Sequence, residues 1–194
     1  GRELEQCLDF AYDQDGPVAV RYPRGDIYEE GGDEIICEKP WELGRAQILM
    51  ERGRLLEEDE EADPGQIKGD AVLFAVGNMT KTALDVGRLL QEKNVYCTVV
   101  NMRFVKPFDK ELLLALACSH RMVVTLEDNM KNGGFGQQVE ALFMDKGCVP
   151  ESFLNCSIDD CFVEHGAPEE LYERLEMDAG SVAEKIEKML RENA

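Results

Sequence analysis

Apolar and polar positions change their spacing several times along the chain, and each change predicts an element. In residues 1–14 apolar side chains recur at helical spacing, and Gly16 and Pro17 end the predicted helix. The run VAVRY (Val18–Tyr22) then predicts a short buried strand. A lone helix and strand cannot bury both of their faces. We therefore interpret residues 1–25 as the remnant of a preceding domain and residues 26–42 as a linker.

From Gly44 onward, predicted strands alternate with predicted helices. Asn78 or Thr80 is expected to cap the helix that follows Gly77, and Asp109 the next one. Gly147 should end a helix in the left-handed conformation. The predicted strands are Arg45–Glu51, Ala71–Gly77, Val95–Asn101, Met122–Asp128 and Ser152–Ile158. The later helices are predicted to begin at Lys110, Gln137, Pro168 and Val182, the last with a capping box formed by Ser181 and Glu184.

Strands that are apolar on both faces and alternate with helices predict the α/β class. The sheet should be mostly parallel and covered by helices on both sides, in one domain over residues 43–194. A loop rather than a helix joins the first strand to the second, so we expect the first strand to be antiparallel at the sheet edge. That loop, Glu57–Gly69, is acidic and carries Pro and Gly, which predicts a solvated extension of a hairpin.

The charge balance narrows the choice of partners. The formal net charge is -19, from 21 basic and 40 acidic residues. A surface this negative repels nucleic-acid phosphates and anionic lipids, so neither is an expected partner. An anionic small substrate would need a local basic pocket. The sequence shows no signal peptide and no apolar run as long as a membrane span, and the chain is expected to be cytoplasmic.

The seven cysteines are scattered singly, without a C-x-x-C pair. Cys156, Cys161 and His165 come closest to a set of metal ligands, but no fourth partner is visible, and no metal is expected. Thiols buried in a reducing cytosol are the better interpretation.

Three motifs leave alternatives open. NGGFG (Asn132–Gly136) follows a strand and opens a helix, so it could hold an anion. Glycines that let the helix pack closely, or let a partner subunit approach, are favoured. In LEDN, Glu127 and Asp128 could do acid–base work, but neighbours on a strand point to opposite faces, and a structural or interface role is favoured. In NMRFVKPFD the role of Arg103 stays undecided, while Phe104 and Phe108 are expected in the core. No complete catalytic set is readable.

Taken together, several segments resemble a known family. GPVAVRYPRG, NMRFVKPFDKELL and TLEDNMKNGGFGQQVEAL occur in that order, and FVEHGAPEELYERLEMDAGSVAEKIEKML follows. They resemble the C-terminal third of the 1-deoxy-D-xylulose-5-phosphate synthases, thiamine-diphosphate enzymes related to transketolase. The resemblance covers nearly the whole chain, with Glu57–Gly69 as an insertion. It implies a three-layer α/β/α sandwich with a five-stranded mixed sheet for residues 43–194, and a preceding pyrimidine-binding domain of which residues 1–25 are the remnant.

The resemblance also implies an activity. The family condenses pyruvate with glyceraldehyde 3-phosphate, with loss of carbon dioxide, for isoprenoid, thiamine and pyridoxal synthesis. It works as a homodimer with thiamine diphosphate and Mg²⁺. The family's cofactor-binding motif and activating glutamate lie upstream of Gly1. No catalytic, cofactor-binding or metal-binding residue is therefore expected in this chain, and the chain alone is expected to be inactive.

One substrate residue carries over from the family. The second arginine of RYPRG, Arg24, resembles the residue that binds the phosphate of glyceraldehyde 3-phosphate, and a guanidinium fork suits phosphate oxygens. Arg21 and Tyr22 are expected to seat the segment. The alternatives are the C-terminal domain of a 2-oxo acid dehydrogenase β subunit, which needs no site for a substrate phosphate, and a non-catalytic acidic interaction module.

Overall fold

A computed structural model of the chain describes residues 1–23, 40–57, 60 and 62–193. Its secondary structure alternates strands and helices from residue 47 onward, as the sequence predicts. The strands are β1 Gln47–Glu51, β2 Arg54–Leu55, β3 Gly69–Ala75, β4 Cys97–Asn101, β5 His120–Met130 and β6 Ser152–Ile158. The helices are α1 Arg2–Tyr12, α2 Met79–Glu92, α3 Lys110–Ser119, α4 Phe135–Lys146, α5 Pro168–Arg174 and α6 Ala179–Glu192.

The six strands form one sheet in the order β2-β1-β4-β3-β5-β6. β4, β3, β5 and β6 are parallel, whereas β1 pairs antiparallel with β4 and β2 antiparallel with β1. The predicted α/β class with an antiparallel edge is confirmed. The predicted count of five strands is wrong by one, because Arg52 and Gly53 both have positive φ and turn the chain back into β2.

The core forms two layers because successive side chains on a buried strand point to opposite faces. Leu73 of β3 packs with α2 and α6 on one face, and Val72 and Phe74 pack with α3 and α4 on the other. Helices therefore cover both faces of the sheet, which confirms the three-layer sandwich.

The helix ends follow local chemistry, with one correction. The Asp109 carboxylate accepts a hydrogen bond from Leu112 N at 3.1 Å, and Gly147 ends α4 with φ 65°, both as predicted. The capping box of Ser181 is wrong. Asp178 caps α6 instead, and its carboxylate accepts a hydrogen bond from Ser181 N at 3.0 Å.

The acidic segment after β2 is not wholly solvated. Ile67 is 1% exposed and packs into the core layer of α3 and α4. Arg54 forms two hydrogen bonds to the Glu60 carboxylate, at 2.6 and 2.8 Å. The expectation of a purely solvent-facing loop is therefore wrong for the part that leads into β3.

The predicted strand Val18–Tyr22 is also wrong. This stretch has no strand structure, and Val18 and Tyr22 are 46% and 65% exposed. An apolar run becomes a strand only where a neighbouring strand can satisfy its backbone groups, and none of the described strands pairs with it. The division into remnant, linker and domain stays a prediction.

Within the described ranges, no helix combines the length and the apolar character that crossing a bilayer requires.

Candidate functional site

The carboxyl ends of the parallel strands meet at one edge of the sheet, where α/β folds commonly present functional groups. Asn101 ends β4, and Glu127 and Asp128 lie near the end of β5. Asn78 follows β3 and opens α2. The chain before the sheet reaches the same edge, through α1 and through Arg21. The candidate site is this edge.

The Glu127 carboxylate fills the anion position at the start of α4. Glu127 is 3% exposed, and its two oxygens accept hydrogen bonds from Phe135 N at 2.8 Å and from Gly136 N at 2.7 Å. Free backbone amides at a helix start attract anions. Here the protein supplies its own carboxylate, so the glycine-rich loop is closed to a phosphate.

The glycines of this loop are required by close contacts. A Cβ on Gly134 would lie 2.5 Å from the Met130 carbonyl oxygen and 2.6 Å from a Glu127 carboxylate oxygen. A Cβ on Gly136 would lie 2.5 Å from the Asn155 side chain. All three distances are shorter than any normal contact. The packing interpretation of NGGFG is therefore the one that the structure supports.

Asp128 points to the other face of the sheet, as the alternation along a strand predicts. Its carboxylate accepts hydrogen bonds from the Tyr172 hydroxyl at 2.9 Å and from Asn78 Nδ2 at 3.3 Å. Asn78 Nδ2 also donates to the Tyr172 hydroxyl, at 2.7 Å. This triangle joins β5, α5 and the start of α2. Glu127 and Asp128 therefore do not form a paired-carboxylate site.

Arg21 connects the RYPRG segment to this edge. Its Nη2 donates a hydrogen bond to the Asp128 backbone carbonyl at 3.0 Å. Arg24, the predicted ligand of the substrate phosphate, lies outside the described residues.

Arg103 belongs to the contact between α1 and the end of β4. Its side chain is 5% exposed, its guanidinium lies 4.9 Å from the centroid of the Trp41 ring, and its Nε is 3.7 Å from a Glu3 carboxylate oxygen. Asn101 Nδ2 donates a hydrogen bond to the same Glu3 oxygen at 2.6 Å. The open question about Arg103 is thus answered in favour of an internal interface.

An aromatic cluster lies beside this ion pair. Phe104 is 5.4 Å from Phe10 and 5.4 Å from Trp41, between ring centroids. Phe104 was predicted in the core and is instead part of the α1 contact, whereas Phe108 packs on Phe135 at 5.7 Å, as expected. The contacts of Trp41 with α1 and Phe104 were not predicted from the sequence. A single tryptophan in an otherwise polar stretch could have indicated that its ring packs against other residues.

Thiamine diphosphate and Mg²⁺ do not fit the described residues. The glycine-rich loop at the start of α4, where backbone amides could face a diphosphate, is filled by the Glu127 carboxylate. Over the described ranges, no three His, Cys, Asp or Glu side chains are grouped as metal ligands. Cys156 is one of the three residues that came closest to a set of metal ligands in the sequence. It is buried in the core, where desolvation raises the pKa of its thiol to about 11. We therefore derive no reaction step from this part of the chain.

Comparison with known proteins gives a consistent result. Residues 61–182 match the family model of the transketolase C-terminal domain. The chain is 33% identical over 188 residues to the 1-deoxy-D-xylulose-5-phosphate synthase of Alkaliphilus oremlandii, covering 97% of this chain and 27% of the relative. It is 35% identical over 184 residues to that of Lachnoclostridium phytofermentans, covering 95% and 26%. It is 36% identical over 187 residues to the synthase of Chlorobium phaeovibrioides, and this match covers 96% of this chain and 26% of the relative.

The chain therefore spans about a quarter of the length of the curated relatives it matches. Among solved structures, it is similar to a split-gene transketolase described as an inactive β4 tetramer. That match has 28% identity and a TM-score of 0.59, and it covers 70% of this chain and 46% of the other. The fold is also that of the Campylobacter jejuni transketolase, with 16% identity and a TM-score of 0.51 over 75% of this chain and 18% of the other. The matches to the synthases confirm the resemblance drawn from the sequence.

Proposed function

Because this chain belongs to the transketolase C-terminal domain family, we propose that it is the C-terminal portion of a 1-deoxy-D-xylulose-5-phosphate synthase. In the complete enzyme, pyruvate condenses with glyceraldehyde 3-phosphate and carbon dioxide is lost. The product serves isoprenoid, thiamine and pyridoxal synthesis. The observation that carries the proposal is the 33–36% identity to three synthases over at least 95% of this chain.

This chain supplies one substrate contact in the proposal. Arg24 binds the phosphate of glyceraldehyde 3-phosphate, because a guanidinium offers two parallel donors to phosphate oxygens. The hydrogen bond from Arg21 to the Asp128 carbonyl supports this role, since it holds Arg21, which precedes Arg24 by three positions, at the carboxyl edge of the sheet. The strongly negative remainder of the chain makes a local arginine the natural anchor for an anion.

Thiamine diphosphate and Mg²⁺ are assigned to other parts of a homodimeric cytoplasmic enzyme. The carboxylate that fills the glycine-rich loop supports this assignment. We expect this chain alone to bind no thiamine diphosphate in an isothermal titration with Mg²⁺ present. Tight binding by the chain alone would contradict the assignment.

The contact with the substrate phosphate can be tested in a chimera. This chain replaces the C-terminal region of the Lachnoclostridium phytofermentans synthase, and steady-state kinetics are measured for both substrates. Arg24→Ala is expected to raise the KM for glyceraldehyde 3-phosphate about 10- to 100-fold, because a charge-assisted hydrogen bond contributes about 1.5–3 kcal/mol. The KM for pyruvate should change little.

Two further variants sharpen this test. Arg24→Lys keeps the charge but loses the fork, so its KM for glyceraldehyde 3-phosphate should lie between those of the chimera and of Arg24→Ala. Arg88→Ala, which removes an exposed arginine paired with Asp85 on α2, is the matched control and should leave both KM values unchanged. Equal increases in both KM values for Arg24→Ala would remove Arg24 from the phosphate site. A folded, cofactor-binding chimera that makes no product would overturn the proposed function.

A further inference from the structure

Two cysteines that are distant in sequence meet at the amino ends of the parallel strands. Cys118 lies in the last turn of α3, and Cys148 directly follows Gly147, which ends α4. Their Sγ atoms are 3.1 Å apart, although 30 positions separate them. α3 and α4 cover the same face of the sheet, and the two thiols meet where these helices end.

The two thiols differ in exposure. Cys118 is exposed to solvent and Cys148 is half-buried. The pKa of the Cys148 thiol is raised to about 11. Burial is the largest cause, and the hydrogen bond with Cys118 is the second. Cys118 is therefore the thiol that a reagent from solution reaches first, and Cys148 is held beside it as a protonated second thiol.

We propose that Cys118 and Cys148 form a reversible disulfide by exchange with a low-molecular-weight disulfide. A disulfide has an S–S bond of about 2.05 Å, so the two sulfur atoms need to approach by about 1 Å. Disulfides in cytosolic proteins are usually transient and sense redox conditions, which suits a pair with one exposed member. This site is independent of the phosphate contact proposed for Arg24.

The exchange proceeds in two steps. The Cys118 thiolate attacks one sulfur atom of the small disulfide, forms a mixed disulfide and releases one small thiolate. Cys148 then loses its proton to solvent, and its thiolate attacks the Cys118 sulfur, forms the internal disulfide and releases the second small thiolate. The two cysteines lose two protons and two electrons, and the small disulfide is reduced to two thiols.

The disulfide would link the C-terminal ends of α3 and α4. It closes a long loop of the unfolded chain, which contains β5, so oxidation should stabilise the folded state. For a domain of this size, we expect Tm to rise by about 5–10 °C. The linked ends lie at the edge of the sheet opposite to Asp128 and Arg21.

The test uses the full chain and oxidised glutathione at pH 8. After oxidation, free thiols are alkylated and the protein is cut with trypsin and with a glutamate-specific protease. These enzymes separate Cys118, in LLLALACSHR, from Cys148, in GCVPE, and leave Cys156 and Cys161 in other peptides. We expect these two peptides to be linked, and the link to disappear on reduction. In 8 M urea the linked pair should fall at least about tenfold, because only the fold holds the thiols together.

The variants assign the order of attack. Cys148→Ser should stop at a mixed disulfide between Cys118 and glutathione. Cys118→Ser should leave Cys148 largely unmodified and abolish the rise in Tm. Cys161→Ser, at an exposed cysteine outside the pair, should still form the link. Glutathione on Cys118 with Cys148 still free in the unmutated chain would overturn the proposal. A link that forms equally well in urea would overturn it too.

Discussion

The His120 imidazole is buried at the start of β5, with a hydrogen-bond partner at each ring nitrogen. Nδ1 lies 2.8 Å from the Leu116 carbonyl oxygen, which can only accept, so Nδ1 carries the proton and donates. Nε2 then accepts from the Thr98 hydroxyl at 2.9 Å. Burial lowers the pKa of His120, although the Leu116 hydrogen bond and the charge of Asp70 oppose this shift. At neutral pH the folded protein therefore favours the neutral imidazole.

This burial predicts a pH dependence of stability. Below about pH 6.5 the unfolded state binds a proton on His120 more readily than the folded state does, so the free energy of unfolding falls as pH falls. One proton limits the slope to about 1.4 kcal/mol per pH unit. Urea unfolding of His120→Gln should show a shallower slope between pH 7.5 and 5.5 than the unmutated protein.

The second histidine provides the control. His165 is exposed, so His165→Gln should retain the slope of the unmutated protein. NMR titration gives an independent measurement in the unmutated chain, where the ring of His120 should titrate below about 6.5, the ordinary value for histidine. An imidazole of His120 that titrates at or above about 6.5 would show that the folded state tolerates its charge.

At the scale of the element, the start of α4 depends on a carboxylate from β5. The Glu127 oxygens accept from two backbone amides and complement the positive end of the helix dipole. Glu127→Gln keeps the shape but removes the charge and turns one acceptor into a donor. We expect the free energy of unfolding to fall by about 1–3 kcal/mol, measured by urea denaturation. Glu151→Gln, at an exposed glutamate, should change it by less than about 0.5 kcal/mol. Equal effects of the two variants would contradict the structural role of Glu127.

Within the part of the chain that the structure describes, helix α1 contacts the sheet mainly through polar and aromatic side chains. None of its residues is buried, and it is held by the ion pair of Glu3 and by the packing of Phe10 on Trp41 and Phe104. Elements with few buried contacts open at lower free energy than the core. Because Trp41 is the only tryptophan in the chain, its fluorescence reports this attachment directly. The emission of Trp41 should shift to the red at a lower urea concentration than the loss of far-UV circular dichroism.

Phe10→Ala tests the same attachment without denaturant. Its Trp41 emission should be red-shifted already in buffer, while the midpoint of the far-UV transition stays unchanged. Coincident transitions in the unmutated chain would show that α1 unfolds together with the sheet.

At the scale of the whole molecule, the sequence predicts the layers because buried parallel strands are apolar on both faces. Val72 and Leu73 are adjacent in β3 and lie in opposite core layers. This follows from the sequence, because neighbouring side chains on a strand point to opposite faces and both are apolar. The short strand β2 could not be predicted, since it depends on Arg52 adopting a positive φ that arginine rarely takes. The burial of Ile67 could not be predicted, because it is a single apolar residue among acidic residues and glycines and therefore forms no periodic pattern.

The candidate site was less predictable than the fold. That Glu127 and Asp128 face different layers follows from strand periodicity. That Glu127 fills the start of α4 depends on the distance between two elements, which no local pattern contains. The same limit applies to Cys118 and Cys148, whose contact depends on where the ends of α3 and α4 lie relative to each other.

The strand order has a consequence for the chain as it is synthesised. β1 ends at residue 51, but its partner β4 ends at residue 101. The hairpin of β1 and β2 therefore lacks this partner strand until about 50 further residues have been translated. At ribosomal speeds of about 5–20 residues per second, that wait lasts about 3–10 s. During it, the apolar run of Ile48, Leu49 and Met50 has a free edge on which another nascent chain could pair. The acidic residues of Glu57–Gly69 emerge next, and we expect their mutual repulsion to keep neighbouring nascent chains apart until β4 arrives.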